Sequence, residues 1–392
     1  MGWRGFHAWA ARRRRARWAS GLAALGALLA VSAGLSGCAN LGYYAQSVQG
    51  HVALLTAAKP VDDWLADPAT PPALRERLQL SQRLRAFAST ELGLPDNASY
   101  TRYADLKRPA VVWNVIAAPE LSLQLKTWCF PVMGCVSYRG YFDRAAAEAT
   151  AAALKAAGWE VIVYGVPAYS TLGWSNWLGG DPLLNTFIGG TEADFARLLF
   201  HELAHQVVYA PDDTMFNESY ATAVERLGLV RWQAVNGPLR DDPARERRRQ
   251  DFKAITLATR QALQALYASD LPDEAKRARK AELMAEMRAR HAALKAGPWA
   301  GDTGYDGWFN RANNASLAIQ ATYDALVPAF EALHAREGGD FRRLHAEVRR
   351  LAALPPTERR ATLDALAPRV PAPAVPNATP AAAAAASAPA AR

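Results

Sequence analysis

The chain has 392 residues, 51% of them hydrophobic, with three cysteines and a formal charge of +8. The first twenty residues alone carry six arginines and no acid, so the remainder is close to +2. The basic balance therefore gives no ground for a nucleic-acid surface, and no RNA- or DNA-binding motif appears.

Arg4, Arg12, Arg13, Arg14, Arg15 and Arg17 lead into GLAALGALLAVSAGL at residues 21–35. That run is short for a bilayer span, and its charged flank marks residues 1–37 as a secretory signal. It ends in LSGC at 35–38, which resembles the lipobox of bacterial lipoproteins. The resemblance implies cleavage before Cys38 and lipidation of Cys38. With Ala39 next rather than Asp, it also implies sorting to the outer membrane of a Gram-negative cell.

Residues 38–367 are expected to form the folded part. Helical spacing predicts helices over 42–58 and 73–92, and strands over 109–118 and 121–128. Two cysteines in an oxidising compartment predict a Cys129–Cys135 disulfide in CFPVMGC. A metal or redox pair is the rival reading, but the spacing is not CxxC and no histidine lies nearby. A helix is expected over 143–158 and a strand over 159–165, giving a small mixed sheet. Residues 166–190 read as a long loop rich in Gly, Pro and aromatics. Beyond Thr191 the chain reads as helical, with helices over 242–268, 273–296, 311–335 and 338–353. The charge runs there read as solvated helix faces. From Pro368 to Arg392 the chain is almost only Ala and Pro, cannot bury a core, and reads as a disordered tail.

TEADFARLLFHELAHQVVY begins at Thr191, with Asp194 placed for a capping box. Phe195, Leu198, Leu199, Leu203 and Val207 recur at helical spacing. His201 and His205 therefore sit one turn apart on one face, where both imidazoles reach one zinc ion at about 2.0–2.1 Å. Glu202 projects beside them as the general base. Zinc lowers the pKa of a water to roughly 7, and a carboxylate takes its proton. APDD breaks this helix, and NESYATAVERLGLV begins another that would carry Glu218 back as the third ligand. Two His and one Glu leave a position open, which is the catalytic form of a zinc site. Asp212 and Asp213 are rival ligands, better explained as turn residues. Glu225, two turns on, is either a partner of an imidazole or an exposed charge.

Val208 and Pro211 stand where the metzincin pattern needs Gly and His, so the arrangement is gluzincin-like. YSTLGW, DPLLNTFIG, FHELAHQ, FNESYATAVE and NNASLA…TY, together with the lipobox, resemble a family of proteobacterial predicted zinc aminopeptidases, exported lipoproteins with HExxH. The similarity spans nearly all of 38–365. It implies His201, His205 and Glu218 as zinc ligands, Glu202 as base, and removal of N-terminal residues from peptides. The chain lacks the GxMEN stretch by which well-known zinc aminopeptidases hold the substrate amine.

A peptidase also needs an oxyanion donor, for which Tyr169, Tyr305 and Tyr323 are candidates, each with packing as the plain alternative. Asn313 and Asn314 either bind substrate backbone or cap a helix. Asp181 either holds the substrate ammonium or only forms the GGDP turn. The expected fold is α+β and predominantly helical: a zincin-like metallopeptidase with a small mixed sheet and a helical C-terminal half. The expected activity is that of a periplasm-facing zinc aminopeptidase on peptide substrates. Its rivals are a zinc endopeptidase or amidase on envelope peptides, and a non-catalytic, partner-binding lipoprotein with a structural zinc site.

Overall fold

The computed structural model describes residues 42–366, apart from 131–133, 169, 172, 174–175, 240–242 and the side chains of Trp177, Ala321, Thr322 and Tyr323. The expected signal, Cys38, Tyr169 and the tail at 368–392 lie outside the described residues.

Helix α1 covers residues 42–57 and is followed by β1 (Lys59–Pro60), α2 (Val61–Ala66) and α3 (Pro72–Thr90). Pro72 opens α3, where its missing N–H would have been unpaired in any case. Next come β2 (Arg102–Ala104), β3 (Val112–Pro119), β4 (Trp128–Phe130), β5 (Gly134–Val136), β6 (Arg139–Tyr141), α4 (Arg144–Ala156) and β7 (Trp159–Val166). Asp143 caps α4 by accepting from the N–H groups of Ala145 and Ala146. The rest is β8 (Leu183–Leu184), α5 (Asn185–Ile188), α6 (Glu192–His205), α7 (Thr214–Asn236), α8 (Pro243–Tyr267), α9 (Asp273–Ala296), α10 (Asp306–Arg311), α11 (Asn314–Asp324), α12 (Val327–Arg336), α13 (Phe341–Ala352) and α14 (Pro356–Leu366). The fold is α+β and rich in helix.

Strand β3 is the middle of an antiparallel sheet of order β6-β3-β7, paired with β7 from Val112↔Val166 to Pro119↔Trp159. Its side chains alternate between two buried faces. Val115 and Ala117 pack with Ala147 and Ala151 of α4, whereas Ile116 and Ala118 pack with Ala315 and Ile319 of α11. A second sheet, β1-β2-β8, pairs β1 with β2 antiparallel and β2 with β8 parallel. The largest core joins α3, α6, α7, α12 and α13 through residues such as Leu84, Phe200, Phe216, Phe330 and Leu344. Each such side chain fully buried contributes about 1.5–3 kcal/mol. A separate core unites α8, α9 and α10 around Leu263, Met287 and Phe309.

Three expectations change. Residues 121–127 are not a strand. Their alternating leucines serve two different cores, Leu123 against the α8–α10 cluster and Leu125 against the β3–α11 face. The expected helix over 311–335 is divided into α10, α11 and α12. Asn313 makes one break by exchanging hydrogen bonds with Ser316, accepting from its N–H and donating to its Oγ. Pro328 in the first turn of α12 accompanies the other. Helix α14 was not expected, and the loop 166–190 holds β8 and α5.

Candidate metal centre

Helix α6 starts with a full capping box. The Thr191 side chain accepts from the Asp194 N–H, and Asp194 accepts from the Thr191 N–H in return. Its buried side, Phe195, Leu199 and Leu203, seats it in the main core and leaves His201 and His205 facing α7. The two helices come close because Gly228 of α7 lies under Phe200. A Cβ there would stand 2.9 Å from Phe200 Cδ2 and 2.8 Å from Leu92 Cδ1.

The turn between α6 and α7 is held from several sides. Asn217 locks onto Ala210 with two bonds of 2.8 Å, accepting from its N–H and donating to its carbonyl. Asp213 caps α7 by accepting from the Phe216 N–H at 3.0 Å. The other oxygen of Asp213 accepts from Arg359 of α14 at 2.7 Å. Asp212, at φ +64, accepts from the Cys135 N–H at 2.6 Å. The Cys129–Cys135 disulfide is formed, so a cross-linked hairpin rests on this turn. Both aspartates are thus turn residues and not ligands.

That turn aims Glu218 at the two imidazoles. His201 Nε2 lies 3.2 Å from Glu218 Oε2 and 3.1 Å from His205 Nε2, and His205 Nε2 lies 3.6 Å from Glu218 Oε2. Donors about 2.0–2.1 Å from one tetrahedral ion stand roughly 3.4 Å apart, so this spacing fits a single zinc. All three residues are buried. On its far side His201 donates Nδ1–H to Glu225 Oε2 at 3.0 Å, which points Nε2 at Glu218 and His205. His205 Nδ1 is buried and has no partner among the described residues.

Two groups of the cluster hold protons more tightly than usual. Burial disfavours a charged His201, but hydrogen bonds to Glu218 and Glu225 outweigh it and hold the imidazole well above its ordinary range. Burial raises Glu218, yet His205 and His201 overcome it and bring the carboxyl down to about 2. Burial raises Glu202; the two imidazoles oppose this, and Glu218 and Asp181 add to it, leaving the carboxyl above its usual range. A divalent ion would replace the protons on this cluster.

The chain is matched over residues 42–363 by a family model described as "Putative aminopeptidase". The chain belongs to that family. No curated protein and no solved structure matches it. Family membership assigns peptidase function in general terms, with peptides as the substrate class.

Other residues singled out in the sequence fare differently. Asn314 is fully buried and saturated. Its Nδ2 donates to the carbonyls of Pro119, Glu120 and Ser122, and its Oδ1 accepts from Tyr267. It ties down residues 119–122 and cannot bind substrate. Asp181 is 1% exposed and accepts from the Thr171 N–H at 2.9 Å and the Thr171 hydroxyl at 2.8 Å. It holds the loop before α6 instead of offering an open carboxylate to an ammonium. Tyr305 stacks on Phe252 within the α8–α10 core. The Tyr323 side chain lies outside the described residues. Sequence reasoning missed Asn217 and two phenols near the donors. Burial, then Glu218, pushes Tyr138 well above its ordinary range and Tyr209 up to about 12. No local pattern marks either tyrosine, because Tyr138 arrives from the sheet side of the chain.

Proposed function

We propose that this member of the family is a zinc-dependent aminopeptidase, built on a zincin-like helix pair and exported as a lipoprotein that faces the periplasm from the outer membrane. The convergence of His201, His205 and Glu218 with Glu202 beside them carries the catalytic reading. The arginine-rich start, the apolar run at 21–35 and LSGC carry the reading of location. Among the described residues no helix is long and apolar enough to cross a membrane.

His201, His205 and Glu218 would hold the ion, and Glu225 fixes the tautomer of His201. A zinc ion in that cage supplies Lewis acidity, making water a better nucleophile and polarising the scissile carbonyl. The chain supplies the proton chemistry. Glu202 takes a proton from the attacking water as its oxygen bonds to the carbonyl carbon. When the C–N bond breaks, Glu202 returns that proton to the leaving amine. Its raised affinity for a proton suits both halves of this cycle. Tyr138 and Tyr209 lie within electrostatic reach of Glu218, which makes them the candidate phenols to polarise a substrate carbonyl.

The purified mature protein is expected to hold one zinc per chain, lost in His201→Ala and Glu218→Ala. It is expected to cleave peptides with a free N-terminus and to ignore the same peptides acetylated there. Glu202→Gln should keep the zinc and lower turnover by about 10²–10⁴-fold. Cleavage of only the acetylated peptides would make the protein an endopeptidase. Full activity in Glu202→Gln would remove Glu202 from the mechanism.

A further inference from the structure

Tyr100 combines three features at one position. Its backbone has φ +63, in the left-handed region that residues other than Gly, Asn and Asp rarely occupy. Its side chain is 2% exposed. Its hydroxyl is buried and has no hydrogen-bond partner among the described residues. Both the strained backbone and the unsatisfied hydroxyl lower stability, and phenylalanine would fill the same space without the second penalty.

The surroundings hold this conformation firmly. The Tyr100 N–H donates to the Asp181 carbonyl at 2.6 Å. The Ser99 carbonyl accepts from Arg85 Nε at 2.9 Å. Gly180 passes so close that a Cβ there would lie 2.4 Å from Ser99 N. Gln206, the C-cap of α6 directly after His205, accepts from Asn97 Nδ2 at 2.8 Å and donates to Ser99 Oγ at 3.1 Å. The strand of chain from 97 to 100 is therefore fastened to the end of the motif helix and to the loop before it.

Burial first, then the charges of Glu202 and Asp181, disfavours ionisation of the phenol, so both carboxylates lie within its electrostatic reach. The Asp181 oxygens already accept from Thr171 and Ser170. Glu202 makes no hydrogen bond to any described residue and is the acceptor with lone pairs to spare. Catalytic hydrogen bonds are commonly long before the active site is loaded and shorten afterwards.

We propose that Tyr100 is a positioning residue of this site, its hydroxyl donating to the Glu202 carboxylate in the loaded enzyme and holding that carboxylate toward the attacking water. The inference rests on the peptidase reading above and extends it to a segment about a hundred residues upstream of the motif. Tyr100→Phe is expected to keep one zinc per chain and an unchanged KM, while kcat falls about 10–100-fold, a fraction of the full contribution of an acid–base group. The metal-free variant should melt at a higher temperature than metal-free wild type, because an unsatisfied hydroxyl has been removed. A role confined to folding would lower the melting temperature instead.

A kcat within twofold of wild type, or a metal-free variant that melts lower, overturns the proposal. The bond itself is read by thermal melting of the zinc-loaded single and double variants with Glu202→Ala, which removes the acceptor. Non-additive shifts support it, and additive shifts overturn it. If wild type turns over no peptide, the peptidase reading falls, and this double-variant comparison still decides whether Tyr100 and Glu202 are bonded.

Discussion

Glu225 Oε2 accepts the Nδ1 proton of His201 at 3.0 Å, two helical turns beyond Glu218 on α7. One helix thus supplies both the Glu218 carboxylate and the group that orients the imidazole beside it. Among the described residues His205 Nδ1 has no equivalent anchor, so among them this bond alone orients an imidazole of the pair.

Glu225→Ala should weaken zinc binding by about 10–100-fold while the protein stays folded. Glu225→Gln, whose amide oxygen can still accept the hydrogen bond, should lose less. Competition against a chelator at pH 7 measures both. An Ala variant with wild-type affinity would mean that His201 is oriented by packing alone.

The turn before Glu218 depends on Asp213, which caps α7 and pairs with a nearly buried Arg359. Asp213→Ala removes the cap and leaves the guanidinium without its countercharge. The expected loss is roughly 2 kcal/mol or more in denaturant unfolding. Zinc affinity should fall with it, because the first turn of α7 sets where Glu218 points. If stability drops and affinity does not, Asn217 alone is enough to hold the ligand.

His345 gives the fold a dependence on pH that is separate from the metal centre. It accepts from the Tyr220 hydroxyl at Nδ1 and donates Nε2–H to the Leu92 carbonyl, both at 2.8 Å, so it is neutral in the folded protein. Burial lowers its pKa to about 4, against about 6.5 for an imidazole in water. The unfolded chain therefore binds the extra proton first. The stabilisation is complete above pH 6.5 and is lost as the pH falls toward 4, amounting to at most about 3 kcal/mol. The slope of unfolding free energy between pH 6.5 and 4 should be shallower in His345→Gln than in wild type. Equal slopes would show that other groups account for the acid sensitivity.

Much of the centre was legible because it is local. Thr191 and Asp194 announce where α6 begins, the apolar spacing fixes its face, and a broken segment followed by NESYATAVE brings Glu218 back. What was not legible depends on distant chain. The strand expected at 121–128 failed because Leu123 and Leu125, which a strand would put on one face, pack instead against two separate cores. Asn314 looked available for substrate because its partners, the carbonyls of 119–122, lie almost two hundred residues earlier. Tyr100 carries no local signal, since the strain and the empty hydroxyl exist only once the 97–101 segment is pinned against Gly180 and Gln206.

Helix α14 also changes what counts as the smallest working piece of this protein. His201, Glu202, His205, Glu218 and Glu225 fall within twenty-five residues, and a fragment built around them would look complete on paper. Yet Arg359 reaches back from near the C-terminal end of the described chain to brace Asp213, and it also takes up the carbonyls of Leu351, Ala352 and Leu354. A chain trimmed after α13 would keep every donor atom and lose the brace that sets their spacing.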